Sequence, residues 1–265
     1  MDRRIGVIDS GIGGLTVVKS IQQLIPGEDI IYFGDNINVP YGNRTKEEIL
    51  ALTMDMLYFM EKKNVKIVAI ACNTISALID DFKDKFTFPI IDIIHPTVEQ
   101  IIKMDTYSLS ILGTEFTINS KIYQKLLKER NPDISISVEG SRDLAALIDR
   151  GNFDSAEIKK IISIHINNLL TKGDVYNLVL ACTHFPIVVN VFKEIIPEIK
   201  IIDPAFEQAK AIRTYLHDNH LEKKADKGLL EINTSGNTQV YESVIQKLKL
   251  KNVTTIKFTR IKQAV

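Results

Sequence analysis

Residues 66–76, KIVAIACNTIS, decide the fold that this sequence predicts. The run of Val, Ile and Ala is typical of a strand that is buried on both faces of a parallel sheet. Asn73 and Thr74 follow this run, and their side chains are of the kind that caps the start of a helix. Cys72 is therefore predicted at the carboxyl end of a strand, the edge at which open α/β sheets bind their ligands.

The same pattern occurs a second time in residues 177–188, NLVLACTHFPIV. Cys182 follows the apolar run there, and Thr183 and His184 come directly after it. The chain has no cysteines other than Cys72 and Cys182. Two thiols in matched settings at the ends of strands predict an enzyme with a cysteine on each side of its site.

The composition narrows the class of protein. The 265 residues include 33 Lys and Arg and 33 Asp and Glu, so the formal net charge is +0. This balance argues against partners such as nucleic acid or an acidic membrane surface. No apolar run has the length of a transmembrane helix or of the core of a signal peptide. We therefore expect a cytoplasmic protein whose two thiols are reduced.

Strands and helices alternate along the chain, which is typical of parallel sheets covered by helices. The pattern predicts a helix over 76–86, a strand over 89–94 that is broken at His95 and Pro96, and a single helix over 117–130. Thr45 and Glu48 fit a capping box before a long helix.

A diverged internal repeat organises these elements, because residues 7–10 (VIDS) match residues 111–114 (ILGT). We expect an α/β fold of two similar three-layer lobes, with mostly parallel sheets, related by a pseudo-twofold axis. Residues 1–96 with 208–265 would form the lobe that carries Cys72, and residues 97–207 the lobe that carries Cys182. The two cysteines would then face one cleft.

Two thiols in one cleft suit the inversion of a stereocentre, since one face of the carbon loses a proton while the other face gains one. A free cysteine has a pKa of ~8.5, within reach of neutral pH when a neighbouring group assists. Asp9 could be the partner of Cys72, and His184 the partner of Cys182. Hydroxyl and amide donors for a substrate carboxylate are available at Ser10, Asn73, Thr74 and Thr183.

The glycine-rich stretch over 11–14 carries a weaker signal. It lacks the third glycine of a dinucleotide fingerprint, and no Gly-Lys-Ser/Thr follows it. We interpret it as a tight turn and not as a phosphate cradle. Cys72, Cys182 and His184 are residue types that bind zinc, but their spacing matches no metal motif.

Several motifs in this order resemble those of the glutamate racemases, which belong to the cofactor-independent aspartate/glutamate racemase superfamily. They are IGVIDSGIGGLTVVK, YFGD with VPYG, ACNT, ILGT, ACTHFP, IIDPA and TSG. The resemblance implies two α/β lobes with the site between them. It also implies interconversion of L- and D-glutamate for peptidoglycan without pyridoxal phosphate, metal or nucleotide, and we expect a homodimer.

The resemblance also implies roles for individual residues. Cys72 would take the proton from D-glutamate and Cys182 the proton from L-glutamate, with His184 assisting Cys182. The substrate contacts that it implies are Asp9, Ser10, Pro40, Tyr41, Gly42, Asn73, Thr74, Thr114, Thr117, Thr183 and His184.

Some segments depart from the family pattern. Asp149 stands where the family has a glutamate beside the second cysteine, and one methylene less could retract the carboxylate from the site. Residues 92–97 (DIIHPT) and 140–142 (GSR) also differ. Two alternatives stay open: a superfamily racemase for aspartate or another amino acid, and a binding protein that kept the cleft without turnover.

Overall fold

The structure, a computed structural model, describes residues 3–261, and their strands form two parallel sheets. The strands are β1 (Ile5–Asp9), β2 (Ile30–Gly34), β3 (Ile67–Ile70), β4 (Ile90–Asp92), β5 (Ser108–Thr114), β6 (Ser135–Ser141), β7 (Asn177–Ala181), β8 (Lys200–Ile202), β9 (Leu230–Thr234) and β10 (Val253–Phe258). The first sheet has the order β10-β9-β2-β1-β3-β4 and the second has the order β6-β5-β7-β8. Every pair of neighbouring strands is parallel, which confirms the predicted α/β class.

Helices connect the strands, as parallel pairing requires. They are α1 (Leu15–Leu24), α2 (Lys46–Lys62), α3 (Asn73–Ser76), α4 (Ile94–Lys103), α5 (Glu115–Asn119), α6 (Ile122–Arg130), α7 (Leu144–Asp149), α8 (Ala156–Leu170), α9 (Val189–Ile195), α10 (Pro204–Asp218) and α11 (Gln239–Leu248). The capping box predicted for α2 is confirmed. The Glu48 amide donates to the Thr45 hydroxyl, and the Thr45 amide donates to the Glu48 carboxylate at 2.9 Å.

The strand before Cys72 is buried along its whole length, as its apolar sequence predicts. All four residues of β3 are buried, and so are all residues of β1, its neighbour, and of β2 beyond it. Strands buried on both faces are mostly apolar, so the polar residues of the site are found where strands end. Asp9, Cys72, Thr114 and Cys182 all lie at or just after the carboxyl end of a strand.

The helix predicted over 76–86 is wrong. Regular α-helix ends at Ser76, and two short 3-10 turns follow at Ile79–Asp81 and Lys83–Lys85. The Ser76 hydroxyl donates to the carbonyl of Ile70 and accepts from the amide of Ile93, which ties the end of α3 to the sheet. Hydrogen bonds of this kind from a serine compete with continuation of a helix.

The strand predicted over 89–94 ends earlier, at Asp92, and α4 begins at Ile94, just before the predicted break at His95 and Pro96. Asp92 ends β4, and its Oδ1 accepts from the amides of Ile94 and His95 at 2.8 and 3.0 Å. Pro96 lies in the first turn, where an amide hydrogen has no partner within the helix. A proline at this place is therefore compatible with a helix start.

The single helix predicted over 117–130 is divided into α5 and α6. Lys121 lies between them with a φ of 57°. A residue in the left-handed region interrupts an α-helix, and the second helix continues in a new direction. The apolar spacing of the two halves is compatible with one helix, so the sequence pattern did not reveal the division.

The chain crosses between the two sheets through helices. Strands β1–β4 with β9 and β10 form the first sheet, and the strands between them in sequence form the second. We propose the two lobes at residues 1–96 with 208–265 and at 97–207; residues 1–2 and 262–265 lie outside the described part. The proposed boundaries fall inside α4 and α10, and these two helices pack against each other.

Candidate active site

Both cysteines line one cavity. The lining residues are Ser10, Val39, Pro40, Tyr41, Gly42, Cys72, Asn73, Thr74, Thr114, Ala145, Cys182, Thr183 and His184. Eleven of these belong to the predicted site, whereas Val39 and Ala145 were not predicted. Asp9, Thr117 and Asp149 were predicted but lie behind the lining residues.

The Cys72 half-site is buried and lies near the carboxyl group of Asp9. Cys72 precedes α3 directly, and its sulfur lies 3.5 Å from the Ser10 hydroxyl. Burial and the nearby Asp9 charge raise the pKa of the Cys72 thiol to about 12, although the Ser10 hydroxyl and the Ile75 amide act in the opposite direction. Cys72 is therefore a protonated thiol at neutral pH in the unliganded site.

Asp9 joins the two halves of the site. Its Oδ1 accepts from the Gly11 amide at 2.9 Å, and its Oδ2 accepts from the Thr183 hydroxyl at 3.0 Å. The side chain is fully buried, and this burial raises the pKa of the carboxyl group in spite of the His184 charge and these hydrogen bonds. Asp9 thus acts on Cys72 through its charge and on the Cys182 side through a direct hydrogen bond.

The Cys182 half-site contains a histidine between two acceptors. The Cys182 sulfur lies 3.9 Å from Nδ1 of His184, and Nε2 of that ring lies 3.1 Å from Oδ1 of Asp149. Burial alone would lower the pKa of His184, but the hydrogen bonds to Asp149 and Cys182 raise it well above its ordinary value. A protonated imidazole donates from both ring nitrogens, so the raised pKa favours a ring that donates to Asp149 and Cys182 together.

Asp149 reaches His184 although it is shorter than glutamate. It is the last residue of α7, and its Oδ1 also accepts from the Ile12 amide at 3.4 Å. The Asn36 amide donates to both carboxylate oxygens, at 3.2 and 3.1 Å. The carboxylate is therefore held from three directions.

Three threonine hydroxyls connect the ends of the two sheets. Oγ1 of Thr114 lies 2.9 Å from Oγ1 of Thr74 and 2.9 Å from Oγ1 of Thr117. Thr74 follows β3 in the first sheet, and Thr114 ends β5 in the second. Thr117 thus supports the cavity wall from behind.

Asn73 offers an unused donor to the cavity. Its Oδ1 accepts from the Tyr123 hydroxyl at 2.7 Å, which fixes the amide orientation. Its Nδ2 is buried and has no hydrogen-bond partner among the described residues. A buried donor without a partner is unfavourable, so this group favours a ligand that brings an acceptor.

Two loops close the cavity. The glycine-rich loop packs against the second half-site, because a Cβ on Gly13 would lie 2.4 Å from Oγ1 of Thr183. This close approach agrees with the interpretation as a tight turn. The other loop contains Pro40, which follows a cis peptide bond, and Tyr41, whose hydroxyl donates to Asp35 at 2.6 Å.

The residues behind these loops were missed in the sequence. Asp35 accepts from Ser235 at 2.6 Å as well as from Tyr41, and Asn36 holds Asp149. A usable signal existed, because Asp35 and Asn36 follow the end of β2 as Asn73 follows the end of β3. The partner of Asp35 comes from the segment after β9, and sequence spacing does not reveal that pairing.

Over residues 3–261, no helix has the length and apolar character needed to cross a membrane. Within the same range, no three side chains of His, Cys, Asp or Glu are grouped so that they could hold a metal ion.

The chain is similar to known racemases over nearly its full length. A profile of the family described as Asp/Glu/Hydantoin racemase matches residues 5–212. A glutamate racemase of Thermoanaerobacter pseudethanolicus is 36% identical over 259 residues, which cover 96% of this chain and 97% of that protein. A glutamate racemase of Oceanobacillus iheyensis is 33% identical over 245 residues, which cover 91% and 89%.

Solved structures give the same result. The glutamate racemase isoform RacE1 from Bacillus anthracis superposes with a TM-score of 0.87 at 29% identity, covering 96% of this chain and 97% of that one. The glutamate racemase from Francisella tularensis, in complex with D-glutamate, gives a TM-score of 0.86 at 28% identity, covering 98% and 97%. These matches confirm the resemblance found in the sequence: the chain belongs to the Asp/Glu/hydantoin racemase family.

Proposed function

We propose that this protein interconverts L- and D-glutamate, with Cys72 and Cys182 as the two acid/base groups. The observation that carries the proposal is that both cysteines line one cavity and have different partners. Relatives named glutamate racemase, one of them solved with D-glutamate, support the choice of substrate.

A two-base reaction needs one thiol and one thiolate at the start, and we propose that the two half-sites supply them. Cys72, with a pKa of about 12, starts as the acid. We assign the base to Cys182, because the cationic His184 ring can stabilise a thiolate 3.9 Å away. The unliganded enzyme would then be ready for L-glutamate, the enantiomer that the resemblance assigns to Cys182.

In the proposed reaction, the Cys182 thiolate removes the α-proton of L-glutamate and becomes a thiol. The electron pair of the broken C–H bond stays on the substrate as a planar carbanion next to the carboxylate. The Cys72 thiol then donates its proton to the opposite face, which forms D-glutamate and leaves a Cys72 thiolate. A second turnover in the reverse direction, or proton exchange with solvent, restores the starting state.

Donors around the cavity would bind the substrate carboxylates and stabilise the charge that develops on the carbanion. The free Asn73 amide and the hydroxyls of Ser10, Thr74 and Thr183 all lie in the lining. Fixed donors directed at developing charge stabilise it without reorganisation of the solvent. We propose the predicted contacts Pro40, Tyr41, Gly42 and Thr114 as walls that shape the cavity, with Thr117 behind them.

The test is racemisation in D2O with early quenching. Starting from L-glutamate, the D-glutamate formed should carry deuterium while the remaining L-glutamate stays almost unlabelled. The variants Cys72→Ser and Cys182→Ser should each abolish racemisation, because an alkoxide is far less accessible than a thiolate near neutral pH. Early deuterium in both enantiomers would instead point to one exchanging base and would refute one cysteine per face.

The cellular setting is also a proposal. We propose that the enzyme supplies D-glutamate for peptidoglycan in the cytoplasm and needs no cofactor, as the resemblance implies. The homodimer expected from the sequence stays a prediction, and sedimentation analysis of the purified protein is its test.

A further inference from the structure

We propose that Asn36 is a positioning residue for the Cys182 half-site, holding Asp149 in the orientation that directs His184 towards Cys182. This inference rests on the proposed function, since it concerns the proton transfer at Cys182. It adds a residue that follows a strand of the first sheet to a group in which Asp149, His184 and Cys182 come from the segment that forms the second sheet.

The contact between Asn36 and Asp149 joins two separate parts of the fold. Asn36 follows β2 in the first sheet, whereas Asp149 ends α7, which lies between β6 and β7 of the second. The Asn36 amide nitrogen lies 3.2 and 3.1 Å from the two carboxylate oxygens. Both distances are within the range of good N–H···O hydrogen bonds. One amide therefore fixes the carboxylate as a whole.

The orientation of the Asn36 amide is determined by its other neighbours. Its Oδ1 accepts from the Thr234 hydroxyl at 3.2 Å and from the Tyr241 hydroxyl. The Asp149 carboxylate can only accept hydrogen bonds, so the amide nitrogen has to face it. The Tyr241 ring is fully buried and its hydroxyl also lies 3.3 Å from the Gly11 carbonyl, so this anchor is rigid.

The position of the carboxylate determines the position of the ring. Asp149 Oδ1 lies 3.1 Å from Nε2 of His184, and the other ring nitrogen faces the Cys182 sulfur. If Asn36 were absent, the carboxylate would keep the Ile12 amide at 3.4 Å as its remaining anchor besides His184. Rotation of the short aspartate would then take the acceptor away from the ring, and misplacement on the ångström scale is costly in catalysis.

The test is Asn36→Ala with α-deuterated L- and D-glutamate as substrates. We expect kcat/KM to fall by about tenfold or more. Proton transfer at Cys182 should become the slow step. The isotope effect on kcat/KM should then rise with deuterated L-glutamate and fall with deuterated D-glutamate, because removal of the D-enantiomer's proton by Cys72 reaches equilibrium before the slow step.

A purely structural loss would lower the active fraction and leave both isotope effects as they are in the wild type. Tyr241→Phe removes only the hydroxyl that anchors Asn36, so it should give a smaller shift in the same direction and serves if Asn36→Ala fails to fold. Asn168→Ala is the matched control. The exposed Asn168 amide donates to Glu139 at 2.7 Å, and neither residue lines the cavity. This variant should leave both isotope effects unchanged.

Two results would separate the possible failures. A wild-type enzyme that racemises glutamate, with unchanged isotope effects in both Asn36→Ala and Tyr241→Phe, would overturn the role of Asn36. A wild-type protein without glutamate racemisation would refute the proposed function itself.

Discussion

At the residue scale, the protonation of His184 depends on Asp149. Burial of the ring favours the neutral form, and the hydrogen bond to Asp149 is the largest influence that favours the charged form. A cationic ring beside Cys182 is central to the proposed base. Aspartate at position 149, although shorter than glutamate, is thus sufficient to favour the charged His184 ring, provided that it stays within hydrogen-bond distance of the ring.

Asp149→Ala should lower the pKa of His184, because burial then acts with little opposition, and should lower turnover by about an order of magnitude or more. Titration of the His184 ring signals by NMR measures the first effect, and steady-state kinetics measures the second. Loss of the acceptor for Ile12 and Asn36 should also lower the free energy of unfolding by about 1–3 kcal/mol. If the variant had wild-type kinetics and an unchanged His184 pKa, Asp149 would have no role in the site.

At the scale of elements, the last two strands are attached to the first sheet by ion pairs as well as by backbone hydrogen bonds. Glu231 on β9 lies 2.6 Å from Arg4, just before β1, and 2.8 Å from Lys257 on β10. Burial alone would raise the pKa of Glu231, but hydrogen bonds from Lys257 and Arg4 lower it to about 2. The charged form of this carboxylate therefore stabilises the folded state.

Glu231→Gln should lower the Tm at pH 7. Because the folded pKa lies below the ordinary value of 4.5, the stabilisation is fully present above pH 4.5 and disappears as the pH falls towards 2. The difference in Tm between variant and wild type should shrink over the same window, as measured by circular dichroism. Glu129→Gln, an exposed change on α6, is the control and should show no such trend. A constant difference at every pH would contradict the assigned charge effect.

The elements also show which parts of the fold the sequence could predict. Buried strands are marked by continuous apolar runs, so the strands before Cys72 and Cys182 were located and only their ends differ. The helices that were wrong depend on single hydrogen bonds or on one backbone angle, such as Ser76 to the sheet or the φ of 57° at Lys121. Apolar spacing carries no information about such local interactions.

The candidate site also contains residues that the sequence could predict and residues that it could not. Lining residues lie directly after strands, so Cys72 and Cys182 could be placed at one cavity from the pattern alone. The supporting residues interact over long sequence separations, as Asn36 does with Asp149 and Tyr241. Their partners are set by how the two sheets face each other, and this arrangement was not available from spacing.

At the scale of the whole molecule, a ligand in the cavity would contact residues from both sheets. The cavity lining includes Asn73 after β3 and Thr183 after β7. Any ligand that binds only the folded state stabilises it in proportion to the logarithm of its concentration. A substrate would therefore act as a bridge between the two sheets.

The inactive double variant Cys72→Ser/Cys182→Ser allows this to be measured without turnover. D- or L-glutamate at ten times its Kd should raise the free energy of unfolding by about 1.4 kcal/mol, which a thermal-shift assay detects as a higher Tm. Aspartate at the same concentration should give a smaller shift, because its shorter side chain cannot reach the same donors. A larger shift with aspartate would favour the alternative substrate.

The strand order of the first sheet has a consequence for synthesis on the ribosome. The residues that line the cavity are all translated by His184, and β8 completes the second sheet at Ile202. However, β9 pairs with β2 and begins only at Leu230. The nascent chain therefore carries an unpaired β2 edge until the residues from Leu230 onwards have been synthesised. Such an edge invites pairing with other chains. A product that ends before Leu230 would therefore contain both cysteines yet be prone to aggregate.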